Sequence, residues 1–161
     1  MVSAQLLNPE QAIRLNTVLH FYFKPLSYGW IALKASLLTG RTIDQGRDKE
    51  LSKFSEEYMK SVAVCYLDPE DMKKLGIREN ANVRVTTNFG SVVVKAKKSL
   101  RGPHSGVVFI PYGAWANTVA DPKTHGTGMP SFKGIQADIE PAPREDILNL
   151  EDLIKKHYKK V

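Results

Sequence analysis

One cysteine, Cys65, stands in 161 residues. That excludes an intrachain disulfide and any multi-cysteine zinc or iron–sulfur centre. The cytosol is the simplest compartment for such a chain. Histidine is nearly as sparse: His20, His104, His125 and His157 are scattered, with no metal-ligand spacing. No GxGxxG motif follows a strand, and no phosphate-loop lysine motif is present. Gly126-Thr127-Gly128 runs into Met129-Pro130, which opens no helix. Cys65 lies among apolar strand residues and reads as a packed thiol, not a nucleophile. A self-sufficient active site is missing, with no metal ligands and no catalytic set. A membrane-spanning run is missing too. Residues 17–33 are apolar but are interrupted by His20, Lys24 and Pro25, and no clean cleavage site follows them. Residues 1–32 read as an appendage: a partner-docking segment, a loose helix over roughly 9–20, or sequence ahead of the true start.

What is present is an ordinary globular composition, 42% hydrophobic and 25% charged, which argues against a disordered or fibrous chain. The net charge of +6 is spread along the chain and forms no basic arm. One cationic run lacks acids: Lys95, Lys97, Lys98 and Arg101. It fits a phosphate contact, or a solvated strand end with its loop.

The pattern predicts a mainly β body. Residues 35–42 read as a strand entering a glycine turn, and 62–67 (VAVCYL) as a buried strand. Between them, 43–60 read as a polar loop with weak helical character. Residues 68–77 spell a two-turn helix: Asp68 as N-cap, Pro69 at the first position, Glu70 and Asp71 at the positive end, Lys73 and Lys74 at the negative end, Gly76 as terminator. Residues 82–97 form a hairpin about Asn88-Phe89-Gly90, and 107–111 another strand. Residues 112–119 fit one or two helical turns, 120–134 a long Gly/Pro loop, and 135–141 a closing strand. Ile147, Leu150, Leu153, Ile154 and Tyr158 predict an amphipathic helix within 142–161. Many short strands without long βαβ alternation suggest a small closed barrel.

Two segments look suited to binding. One is Thr39-Gly40-Arg41-Thr42. The other is 111–134, with Tyr112, Trp115, Asn117, Thr124, His125, Gly126, Thr127, Gly128 and Lys133. Glycines let backbone amides approach an oxygen-rich ligand, and successive amides form anion nests. The Asn117 amide offers both a donor and an acceptor to a heterocycle edge. Arg41 and Lys133 can neutralise phosphate. The set suits a ligand with a heterocycle and a pyrophosphate, and equally a plain long loop and turn.

The order LLTGRT (37–42), VAVCYLDPEDMKKLGI, NVRVTTNFGSVVVKA, GVVFIPYGAWAN and DPKTHGTGMPSFKG resembles the C-terminal molybdopterin-dinucleotide-binding domain of molybdenum and tungsten oxidoreductases. More closely, it looks like the small D subunits of archaeal formylmethanofuran dehydrogenase. The resemblance covers residues 33–141 and leaves 1–32 and the C-terminal helix outside. It implies a double-psi β-barrel that helps hold a bis(molybdopterin guanine dinucleotide) cofactor, in its tungsten or molybdenum form, shared with a larger catalytic subunit in a hetero-oligomeric complex. That subunit supplies the metal ligand. Thr39, Gly40, Arg41, Thr42, Asn117, residues 124–128 and Lys133 match the cofactor-facing motifs, and Tyr112 and Trp115 lie near the pterin position. The implied reaction is ferredoxin-linked CO2 reduction to the formyl level, the first step of methanogenesis. This chain has a holding role in it and no catalytic residue, nucleic-acid contact or membrane span. Other readings are a split subunit of another molybdopterin enzyme such as formate dehydrogenase, a double-psi adaptor or nucleic-acid module, and a barrel that self-cleaves at Gly90-Ser91.

Overall fold

Six strands close on themselves. The computed structural model describes residues 32–124, 126, 128 and 131–158. The strands are β1 (Leu33–Gly40), β2 (Val64–Leu67), β3 (Asn82–Thr86), β4 (Ser91–Lys98), β5 (Val107–Pro111) and β6 (Lys133–Pro141). Around the barrel the order is β1-β5-β2-β4-β3-β6. β1 with β5, and β2 with β4, are parallel, and the remaining pairs are antiparallel. Exchanging β1 with β4, β2 with β5 and β3 with β6 reproduces every neighbour and its sense. The barrel is therefore two interlocked three-strand halves related by a pseudo-two-fold axis, which is the double-psi arrangement. The residues 1–32 appendage lies, but for residue 32, outside the described residues.

Strand alternation builds the core. Leu37, Cys65, Val83, Val94, Ile110 and Ile139 point inward with no exposure. Burial among these side chains pushes the Cys65 thiol up to about 12. The native protein is expected to leave a disulfide-exchange reagent unreacted at pH 8 and to give one thiol equivalent after denaturation. Rapid native reaction would contradict this packing.

Among the described residues four helices connect the strands, α1 (Ile43–Leu51), α2 (Glu56–Val62), α3 (Pro69–Lys74) and α4 (Ala114–Val119), and α5 (Leu150–Tyr158) follows the last one. α3 forms as its residues dictate. The Asp68 carboxylate accepts the Glu70 N–H at 2.9 Å, and Gly76 adopts the left-handed φ of +65° that favours glycine. The polar stretch 43–60 is a correction, since it folds into α1 and α2. Thr42 caps the first through Gln45 N–H (3.1 Å) and Ser55 caps the second through Tyr58 N–H (3.1 Å). The C-terminal helix is shorter than expected. Asn149 caps α5 through the Asp152 N–H at 2.9 Å, so 142–149 run irregularly and Ile147 lies ahead of the helix.

Each pair of parallel strands ends at one mouth of the barrel. β1 and β5 end where β6 begins. The β3–β4 turn reaches the same mouth and is fastened to α4: Thr87 Oγ1 donates to the Val119 carbonyl at 2.9 Å. A methyl group at Gly90 would run into the Thr118 carbonyl oxygen, which explains glycine there.

Candidate functional site

The β1/β5 mouth gathers most of the expected binding residues. Gly40 pairs with Pro111, and its carbonyl accepts the Tyr112 N–H at 2.8 Å. A Cβ at Gly40 would sit 3.0 Å from the Phe109 ring, so glycine allows the two strands to end together. Arg41 follows, exposed and in no ion pair among the described residues. Asn117 is exposed on α4. Gly126 and Gly128 are exposed, with φ of +78° and +75°. Thr124 is exposed beside them. His125 and Thr127 lie outside the described residues.

Lys133 reaches this mouth through a β-bulge. Leu37 pairs with Ile135, but Leu38 pairs with Lys133, so Gly134 is an extra residue with φ of +74°. Strict alternation from the buried Ile135 would turn Lys133 into the core. The bulge turns it outward. Gly134→Ala places a Cβ in open space but at a left-handed φ, so a loss of about 1–2 kcal/mol is expected in urea unfolding. Unchanged stability would mean that the bulge is not where the pairing puts it.

Three expected residues have structural duties instead. Trp115 is corrected: it is fully buried, and its indole N–H donates to the Leu148 carbonyl at 3.0 Å, so it offers no surface to a ligand. The Thr42 hydroxyl caps α1. Thr39 is 3% exposed, and its amide and hydroxyl both donate to the Phe132 carbonyl, at 2.9 and 3.2 Å. Phe132 is the residue that sequence reading missed. Its ring lies 4.9 Å from that of Tyr112, tilted by 53°. Phe132 therefore ties together the ends of β1 and β5 and the start of β6. The signal available was a lone aromatic directly before a Lys-Gly bulge.

The opposite mouth, where β2 and β4 end, shows what the first one lacks. Asp68 accepts the His104 N–H at 2.9 Å as well as that of Glu70. The His104 amide, then that of Glu70, holds the Asp68 carboxyl below its ordinary range. Asp71, fully buried, accepts Ser105 Oγ (2.5 Å), Gly106 N (2.6 Å) and Lys74 Nζ (2.9 Å). Burial alone would raise its pKa, but the bonds from Ser105, Lys74 and Gly106 outweigh it and lower the value. The pseudo-two-fold axis relates α3 to α4. There Gly113 stands at the cap without a side chain, and 114–119 carry no acid. One mouth is closed by its own carboxylates, while at the other Arg41 and Lys133 are exposed and in no ion pair among the described residues.

This is a double-psi barrel with one mouth closed by its own carboxylates and one that presents the exposed cations Arg41 and Lys133, a pair suited to an anionic ligand. Residues 36–136 match the family described as Molydopterin dinucleotide binding domain, and the chain belongs to that family. It is 42% identical over 129 residues to Protein FwdD of Methanocaldococcus jannaschii, covering 78% of this chain and 96% of that one. It is 34% identical over 158 residues to a subunit of the molybdenum-containing formylmethanofuran dehydrogenase 1 of Methanothermobacter thermautotrophicus. That match takes in 93% of this chain but 39% of the relative. What it leaves out is shorter than residues 1–32, so part of that segment is matched in the Methanothermobacter relative, while the family match itself begins at residue 36. Acetylene hydratase from Pelobacter acetylenicus has a similar structure at 18% identity, with a TM-score of 0.48 over 73% of this chain and 19% of that one.

Proposed function

We propose that this chain is the small cofactor-holding subunit of a tungsten- or molybdenum-dependent formylmethanofuran dehydrogenase. The observation that carries the reading is the pair of exposed cations, Arg41 and Lys133, set by Phe132 and a bulge at the mouth where β1 and β5 end. Arg41 and Lys133 neutralise the pyrophosphate of a molybdopterin guanine dinucleotide. Asn117 pairs with the edge of its heterocycle. The backbone at Gly126 and Gly128 admits the ligand closely, with Thr124 alongside. Tyr112 braces Phe132 beneath it. When bound, and with its metal ligated by a larger subunit, the cofactor supplies the redox chemistry of ferredoxin-linked CO2 reduction to the formyl level. This chain's residues hold, orient and neutralise. The relatives named as formylmethanofuran dehydrogenase subunits favour this reading over a formate dehydrogenase subunit. A complex formed in the cytosol fits the single reduced cysteine.

The test is the double variant Arg41→Ala/Lys133→Ala in the purified complex. Charge-assisted hydrogen bonds contribute about 1.5–3 kcal/mol each, so pterin and metal content are expected to fall roughly tenfold or more. The variant chain should melt within about 2 °C of the parent, since both side chains are exposed. Full pterin content in the variant complex would reject the assignment.

A further inference from the structure

A groove of about 600 Å³ lies between the β3–β4 hairpin and the C-terminal segment. Its apolar side chains are Val93 of β4 with Leu148 and Leu153 of that segment. The volume falls within the range of about 300–1,000 Å³ typical of ligand sites. The charges that line it cancel. Arg84 and Lys156 stand against Glu145 and Asp146, and Arg84 is already ion-paired with Glu145. Such a lining offers a phosphate or a polyanion no excess of cations, and suits an apolar occupant of little net charge.

The barrel register brings the start of β1 to the edge of this groove. Leu33 pairs with Ile139, and Val85 pairs with Ile139 from the other side. Continued by one residue, the register sets Ala32 level with Glu140, which pairs with Arg84, which pairs with Val93. Arg84 and Val93 both line the groove. Neighbouring strands lie about 4.8 Å apart, so Arg84 stands about 10 Å, and Val93 about 14 Å, from the point where the chain enters the barrel. An extended chain covers about 3.3 Å per residue, so the few residues before Ala32 span that distance. Those residues are Leu26, Ser27, Tyr28, Gly29, Trp30 and Ile31, and none is charged. Leu26, Tyr28 and Trp30 alternate with Ser27 and Gly29, so an extended segment carries the three large side chains on one side. A packed Tyr or Trp buries about 150–250 Å².

We infer that residues 26–31 fold back across β6 and β3 and dock in this groove, with Tyr28 and Trp30 against Val93, Leu148 and Leu153. The occupant is the chain's own segment because it is tethered at the groove's edge. A tether that short holds it at an effective concentration of about a millimolar, with no free partner required. The inference goes beyond the proposed function and does not rest on it, since Arg41, Asn117 and Lys133 do not line this groove.

The test uses the full chain and the fluorophore bimane, whose emission an indole in contact quenches. Cys65 is fully buried, so the label goes to an engineered thiol. One protein carries Asp146→Cys, at an exposed residue on the groove's rim, and a second carries Leu100→Cys, at a 95% exposed residue outside the groove. Trp115 is common to both, so Trp30→Phe isolates the one indole. Trp30→Phe is expected to raise emission at position 146 at least roughly twofold, because a standing contact is lost, and to leave position 100 unchanged. Val93→Lys puts a charge in the groove and should give the same rise with Trp30 in place. Should Val93→Lys lower the melting temperature, Ser91→Lys, also in the groove lining, takes its place. No rise at position 146 overturns the inference, and so does quenching that survives the groove variant. An equal rise at position 100 overturns it too, since a segment without a fixed place would give that. A rise that vanishes on dilution assigns the groove to a second copy, and one seen only with a larger subunit bound assigns the segment to that partner. Either result overturns docking within the chain.

Discussion

Replacing Trp115 by alanine is expected to destabilise the protein by about 3–5 kcal/mol, the range for deleting a buried large aromatic. For a chain of this size that lowers the melting temperature by roughly 10 °C. The indole has no exposure and belongs to the main core cluster with Val119 and Leu153. It also holds the C-terminal segment through the Leu148 carbonyl at 3.0 Å. Trp115→Phe separates the two roles. It keeps most of the volume and leaves that carbonyl without its donor, at about 1–3 kcal/mol. Limited proteolysis should then cut first within 142–149, the irregular stretch that precedes α5. A Trp115→Ala variant melting within 2 °C of the parent would contradict its place in the core. Had Trp115 instead faced the cofactor, its loss would lower pterin content and leave stability nearly unchanged.

That contrast shows where local signals suffice. α3 was readable because its cap, its N1 proline, its charges and its terminating glycine all lie within the element. The β3–β4 hairpin was readable because its apolar residues alternate about a short turn. Helix α1 was not, since the period that reveals a helix is set by burial on its own fold, and the apolar residues of α1 face away. Its cap, Thr42, was the available clue. At the candidate site, sequence placed Arg41, Asn117 and Lys133 among the binding residues, and the fold brings them to one mouth. It did not show that Trp115 turns inward, because one aromatic on a six-residue helix suits either face. Nor did it show the bulge at Gly134, which appears only once β6 is laid against β1. Strand partners are distant in sequence, so a register shift leaves little local trace.

Asp71 carries the second large effect, at the sealed mouth. Removing its carboxylate leaves the Gly106 N–H and the Ser105 hydroxyl without their acceptor. The loop then loosens from α3. The Gly106 carbonyl, which accepts the Ser36 N–H at 2.8 Å, loosens with it from β1. Asp71→Ala is expected to cost about 2–4 kcal/mol, and Asp71→Asn less, because an amide oxygen still accepts one bond. The same group sets the response to acid. The folded-state pKa values of Asp68 and Asp71 lie below the ordinary aspartate value of 3.8. The unfolded chain therefore binds more protons than the folded one between those values. The stabilisation is complete above the unfolded value and fades as the pH falls through the folded ones. Urea midpoints should hold steady on acidification from pH 7 to about 5 and decline below about 4. In Asp71→Asn the decline should be shallower, with the midpoint already lower at neutral pH. Parallel acid profiles for parent and variant would mean that Asp71 is no more ionised in the fold than in the unfolded chain. The network that closes this mouth would then have to be held by its hydrogen bonds to a neutral acid.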